Sequence, residues 1–213
     1  MRNYCKIQSI DDEALYVNLF ISSQLDIEEK GLKVIQETSF PESDRTTLTF
    51  QEATGEPLTV KVRVPYWVDG EVLAKVNGEL VDTTVKSGYL YLDRNWQSGD
   101  KMEVQLPMNL HTYVAKDDKK KQVIMYGPVV LAGALGTENF PQTDILADHQ
   151  ALNNHPLIDV TVLVANEHNL NEWVSKVDDS LTFKTDTVGQ PGNESVTLIP
   201  FYALHYQRYT IYH

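Results

Sequence analysis

The sequence predicts an all-β protein of two antiparallel β-sandwich units, on three observations: apolar residues alternating with period two, turn residues about every 10 positions, and almost no helical periodicity. Alternation is clearest where Leu58, Val60, Val62 and Val64 interleave with Thr59, Lys61 and Arg63 and Pro65 closes the run. It recurs at Thr46, Leu48 and Phe50, at Val72, Ala74 and Val76, and at Met102, Val104 and Leu106. Each run reads as a strand with one wet face. Several such runs in succession imply antiparallel pairing.

Turn chemistry agrees. Asn77-Gly78 can take the positive φ angles of a tight hairpin, and Ser87-Gly88 and Ser98-Gly99-Asp100 punctuate the neighbouring runs. Short helical patterns fall only at Asp144 to Leu152 and near Asn169 to Val174, which disfavours a parallel α/β fold. From Gly136 to His155 the chain turns polar and loses its alternation, so the domain boundary is expected there. The expected units are residues 1–136 and a smaller β domain at 137–213. Strands resume in the latter at Leu157 to Val164, Leu181 to Thr185, Ser195 to Leu204 and Gln207 to Tyr212, with a loop at Val188 to Asn193. The last strand is expected to return to the first domain.

Composition narrows the function. Thirty acidic against eighteen basic residues give a formal charge of -12, which opposes approach to nucleic acid and to anionic lipid. Lys119, Lys120 and Lys121 follow Asp117 and Asp118 and read as a solvated hairpin tip. No apolar run approaches the ~18 residues of a membrane span, and no apolar signal core follows Met1. The one cysteine, Cys5, excludes an internal disulfide and a Cys-x-x-Cys pair.

Reactive constellations are missing. No Gly-x-Ser-x-Gly elbow occurs, and Cys5 has no neighbouring histidine to activate it. His111, His149, His155, His168, His205 and His213 form no zinc-spaced pair, although Asp148, His149 and His155 share a loop. Glycoside hydrolysis needs two carboxyl groups about 5 to 9.5 Å apart, and no pair of acids stands out from the wet faces. For sugar binding without catalysis, the aromatic candidates are Trp67, Trp96, Trp173 and the tail tyrosines Tyr202, Tyr206, Tyr209 and Tyr212. The tryptophans sit where an aromatic commonly plugs a sandwich edge, and the tyrosines are expected to divide between interior and surface.

Seven strings carry a resemblance. They are Tyr16 to Ile21, Glu29 to Leu32 with Gln36 to Thr38, Arg63 to Trp67, Val76 to Gly78, Trp96 to Asp100, Tyr126 to Gly133, and Gln207 to Tyr212. In the same order they resemble the carboxy-terminal half of the β-L-arabinofuranosidases of glycoside hydrolase family 127 and the related family 146. The resemblance implies an (α/α)6 barrel holding the active site, followed by β-sandwiches, of which this sequence resembles only the latter. A cysteine nucleophile, an acidic acid/base and a zinc held by cysteines and a glutamate belong to that family. Cys5 lacks the paired cysteine of the nucleophile motif, so no catalytic, metal or cofactor role passes to any residue here.

The expected function is thus a non-catalytic accessory region that braces a catalytic barrel and could take part in a homodimer contact. The alternative is a carbohydrate-binding module for arabinose-containing plant glycans, its binding residues unassigned. By resemblance the parent is a bacterial enzyme working in the periplasm or outside the cell.

Overall fold

The computed structural model describes residues 8–10, 14–138, 162–163, 168–178, 180–186 and 195–212. Cys5, the helical pattern at Asp144 to Leu152, the loop at Val188 to Asn193 and nearly all of the run at Leu157 to Val164 lie outside them. The chain divides into two compact units, Met1–Asn109 and Leu110–His213. The division thus falls at Asn109/Leu110, ahead of the expected 136/137, because the strands just before Gly136 pair with the tail and not with the first unit.

The first unit contains β1 (Gln8–Ile10), β2 (Ala14–Val17), β3 (Ser23–Ile27), β4 (Leu32–Thr38), β5 (Arg45–Glu52) and β6 (Thr54–Arg63). It continues with β7 (Leu73–Val76), β8 (Glu79–Val81), β9 (Thr84–Lys86), β10 (Tyr89–Gln97) and β11 (Lys101–Gln105). They form two sheets, ordered β1-β2-β6-β10-β9 and β3-β4-β5-β11-β7-β8. Every pairing is antiparallel except β2 with β6. The predicted alternation sets the faces: Leu48, Phe50, Val60, Val62, Ala74, Val76, Met102 and Val104 are all buried.

Both two-residue hairpin signals work as expected. Asn77 and Gly78 have φ of 53° and 87°, and Ser87 and Gly88 have φ of 51° and 77°, the positive pairs that keep a hairpin's twist. Between Asn95↔Pro57 and Gln97↔Thr54, β10 advances two residues while β6 advances three. This bulge is absorbed at Gly55, φ 81°, where an added Cβ would stand 2.9 Å from the Gln97 amide nitrogen.

Beside the bulge, Trp96 on β10 lies against Phe50 on β5, with ring centroids 4.1 Å apart and planes 10° from parallel. Trp96 Nε1 donates to the Leu58 carbonyl at 2.9 Å, so the one polar atom of the ring is satisfied inside the core. A polar side chain, Gln36 on β4, is wholly buried as well. Its amide nitrogen donates to the Leu19 carbonyl at 3.0 Å and to the Thr46 hydroxyl at 3.1 Å, tying a loop and two strands together.

The second unit contains β12 (Leu110–Val114), β13 (Gln122–Tyr126), β14 (Val129–Ala134), the single turn α1 (Leu170–Trp173), β15 (Val174–Lys176), β16 (Phe183–Thr185), β17 (Thr197–Pro200) and β18 (Tyr209–Thr210). Its described strands make one seven-stranded antiparallel sheet, ordered β12-β13-β14-β17-β16-β15, with β18 on β14. β18 returns to Gly133 and Ala134, which belong to this second unit. Ile124, Leu131, Trp173, Phe183 and Leu198 form the core of this sheet.

Truncating Trp96 removes both the stack and the bond to β6. Trp96→Ala is expected to lower the unfolding free energy by about 3–5 kcal/mol, read from urea denaturation; a loss under about 1 kcal/mol would contradict this packing account.

Candidate functional site

None of the three tryptophans is a free platform. Trp96 is 1% exposed, Trp173 6% and Trp67 8%, and Trp67 is capped by Phe40 at 5.5 Å. The tail tyrosines depart from the expected division between interior and surface: Tyr202, Tyr206, Tyr209 and Tyr212 are all exposed. The reason is local. The run Ser195 to Leu204 is not one strand, since β17 stops at Pro200 and Phe201–Ala203 forms a 3-10 turn that swings the following side chains outward. Phe201 and Tyr209 pack on each other at 5.2 Å within that surface.

The histidines are dispersed. His111 Nε2 lies 2.8 Å from the Gly127 carbonyl, and His168 Nδ1 pairs with Glu172 at 3.0 Å. His205 stands beside Tyr206, while Asp148, His149, His155 and His213 lie outside the described residues. Among the described residues no three His, Cys, Asp or Glu side chains gather as metal ligands. Lys119 to Lys121 sit at the tip of the β12–β13 hairpin, closed by bonds from the Lys120 and Lys121 amides to Asp118.

Two features of the first unit bear on the aromatic candidates. One is a depression of about 340 Å³ where two of the resembling strings meet, Asn18 to Ile21 after β2 and Arg63 to Trp67 after β6. Its floor is aromatic, with Phe20 and Phe40 at 5.3 Å, and its rim is apolar and open, Ile21 being 51% and Tyr66 81% exposed. The other is the outer face of the five-stranded sheet. There Lys61 Nζ donates to the Tyr16 hydroxyl at 2.8 Å and stands 5.3 Å from the centre of the Tyr91 ring. Tyr16 and Tyr89 meet edge to face at 5.9 Å, and the Tyr89 hydroxyl donates to Asn18 Oδ1 at 2.8 Å. Sequence reading missed this face because its tyrosines are brought together by cross-strand register, Tyr16 opposite Lys61 and Lys61 opposite Tyr91.

Electrostatic perturbation marks structure and not chemistry. Burial of Asp100 works against its charge, but the Gln97 N–H, the Asn77 amide and the Arg94 guanidinium outweigh it and hold the carboxyl below the ordinary aspartate range. Asn77 Nδ2 donates to Asp100 Oδ1 at 2.8 Å and Gln97 N to Oδ2 at 3.0 Å, while Asn77 Oδ1 accepts from Lys101 N at 2.9 Å. The strings Val76 to Gly78 and Trp96 to Asp100 are thus two halves of one lock between hairpin turns. Glu172 is lowered by hydrogen bonds from His168 and Asn169, and Asp178 by those from Ser180, both on open surface.

Comparison with known proteins agrees with this geometry. Residues 14–108 match the family described as beta-L-arabinofuranosidase, GH127 middle domain, and residues 112–213 match a domain family of unknown function. Among curated proteins none matches the chain. Among solved structures, a GH127 β-L-arabinofuranosidase from Geobacillus stearothermophilus T6 is 22% identical with a TM-score of 0.61, over 97% of this chain and 34% of its own. A GH127 β-arabinofuranosidase is 22% identical with a TM-score of 0.62, over 97% and 35%, and a glycoside hydrolase is 20% identical with a TM-score of 0.61, over 96% and 36%. The chain spans about a third of the length of each.

The charge of Asp100 makes the fold pH-dependent in one direction. Its folded pKa lies below the unfolded value of about 3.9, so its stabilisation is full above that value and is lost as pH falls through the folded one. Unfolding midpoints at about pH 6 and about pH 3 should differ less in Asp100→Asn than in the parent; an unchanged difference would remove Asp100 from the account.

Proposed function

We propose, from the match of residues 14–108 to the GH127 β-L-arabinofuranosidase middle domain, that this chain is a non-catalytic accessory region bracing a helical catalytic barrel. The observation that carries this reading is the open apolar depression between Asn18 to Ile21 and Arg63 to Trp67. An exposed tyrosine and isoleucine over an aromatic floor suit burial against another domain, and contacts between domains typically cover roughly 600–1,500 Å². The parent is then a bacterial hydrolase of arabinose-containing plant glycans, working outside the cytoplasm, with its reactive groups in the barrel.

A second reading, glycan binding by these β units themselves, draws on the exposed aromatics: the tail tyrosines and the tyrosine-lined face of the five-stranded sheet. Bracing and binding are compatible, since the apolar depression lies on the first unit apart from both the tail tyrosines of the second unit and the tyrosine-lined face of the five-stranded sheet.

Tyr66→Ser combined with Ile21→Ser should leave the chain's own unfolding free energy within about 0.5 kcal/mol, because both side chains are largely in solvent. The same pair should weaken association with the catalytic barrel, read as a lower thermal midpoint of the joined protein. The chain alone should not turn over a chromogenic arabinofuranoside at high protein concentration. Turnover abolished by replacing one carboxylate would overturn the accessory role.

A further inference from the structure

We propose that the cleft between the edge strand β9 and β10 is a binding site for a neutral sugar. The proposal rests on the glycan-binding reading above and gives it a location. The cleft has a volume of about 390 Å³, at the low end of small-ligand pockets of roughly 300–1,000 Å³. Its lining includes Asp82, Thr83, Thr84, Lys86, Tyr91 and Asp93.

Topology creates it. β8 lies in the six-stranded sheet and β9 in the five-stranded one, so Asp82 and Thr83 are the crossing between sheets. Pairing of β9 with β10 runs from Lys86↔Tyr89 to Thr84↔Tyr91 and then stops. Beyond that point the link parts from β10, and the opening is lined by Asp82 and Thr83 of the link together with side chains of β9 and β10.

The chemistry suits hydroxyl groups. Tyr91 offers a half-buried ring for the apolar face of a sugar, held in the sheet with the Lys61 ammonium 5.3 Å from its centre. Asp93, two residues on and so on the same side of the strand, accepts the Thr59 hydroxyl at Oδ1 and has no partner at Oδ2 among the described residues. The side chains of Asp82 and Lys86 are exposed and make no hydrogen bond or ion pair among the described residues, so a carboxylate and an ammonium are available to neighbouring sugar hydroxyls. Two carboxylates against one ammonium disfavour an acidic sugar or a phosphate, as does the net charge of -12. A neutral saccharide meets all of these demands. The shallow opening predicts weak binding.

The test is titration of the isotope-labelled chain, followed through its backbone amide resonances. The probes are arabinotriose and galactotriose as neutral sugars and digalacturonate as an acidic one. A neutral probe should shift the amides of Thr84, Tyr91 and Asp93 with a Kd of about 1–10 mM, and digalacturonate should bind at least about fivefold more weakly. Tyr91→Ala and Lys86→Ala should each raise the Kd at least about fivefold. Lys86 is on the surface, so its variant should keep the parent's thermal midpoint and separate lost binding from lost folding. Shifts confined to Tyr202–Tyr212, untouched by either variant, would overturn the cleft while glycan binding by the chain stood. No shift with either neutral probe would overturn both.

Discussion

The contact between Trp96 and Phe50 is the constraint on which the first unit depends. Two sheets that each bury one face must be held at one spacing, and a flat pair of rings fixes that spacing more sharply than branched aliphatic side chains can. The indole N–H bonded to β6 also forbids the ring from turning. The surrounding features follow from this placement: the extra residue at Gly55 bends β6 beside the ring, Arg94 stands 5.1 Å from the ring's centre, and the Asp100 lock closes the turn that leads away from it.

This explains why the strings that carry the family resemblance are mostly architectural. Val76 to Gly78 and Trp96 to Asp100 meet in one hydrogen-bonded lock, although some twenty residues separate them. Tyr126 to Gly133 supplies most of the central strand β14 of the second unit's sheet, and Gln207 to Tyr212 supplies its β18 partner. The Asn18 to Ile21 and Arg63 to Trp67 strings leave an apolar depression open, and it is there that a role toward another domain is readable.

How much was legible in the sequence follows from the same physics. Strands with one wet and one dry face, such as β5, β6 and β11, declared themselves by alternation, and Asn77-Gly78 and Ser87-Gly88 declared their turns. β4 did not, because a polar Gln36 occupies an inward position while Ile35 points the other way, which blurs the period. The division between units was displaced because a polar stretch reports exposure, whereas membership of a sheet is decided by partners far along the chain. The tail tyrosines were misjudged for want of the 3-10 turn after Pro200. The depression, the tyrosine face and the cleft were invisible altogether, since each is assembled from cross-strand neighbours that no local spacing records.

One edge of β14 is shared end to end by β13 and β18, while β17 takes the other. Gly133 therefore waits for Leu198 on one side and Thr210 on the other, partners that must each close a loop of more than sixty residues. Closure entropy rises with loop length, and long-range pairing slows folding, so this strand stays unpaired along much of its length until late in assembly. During synthesis, that interval is when the second unit offers a bare template to other chains, and its vulnerability to misassembly is a matter of timing more than of final stability.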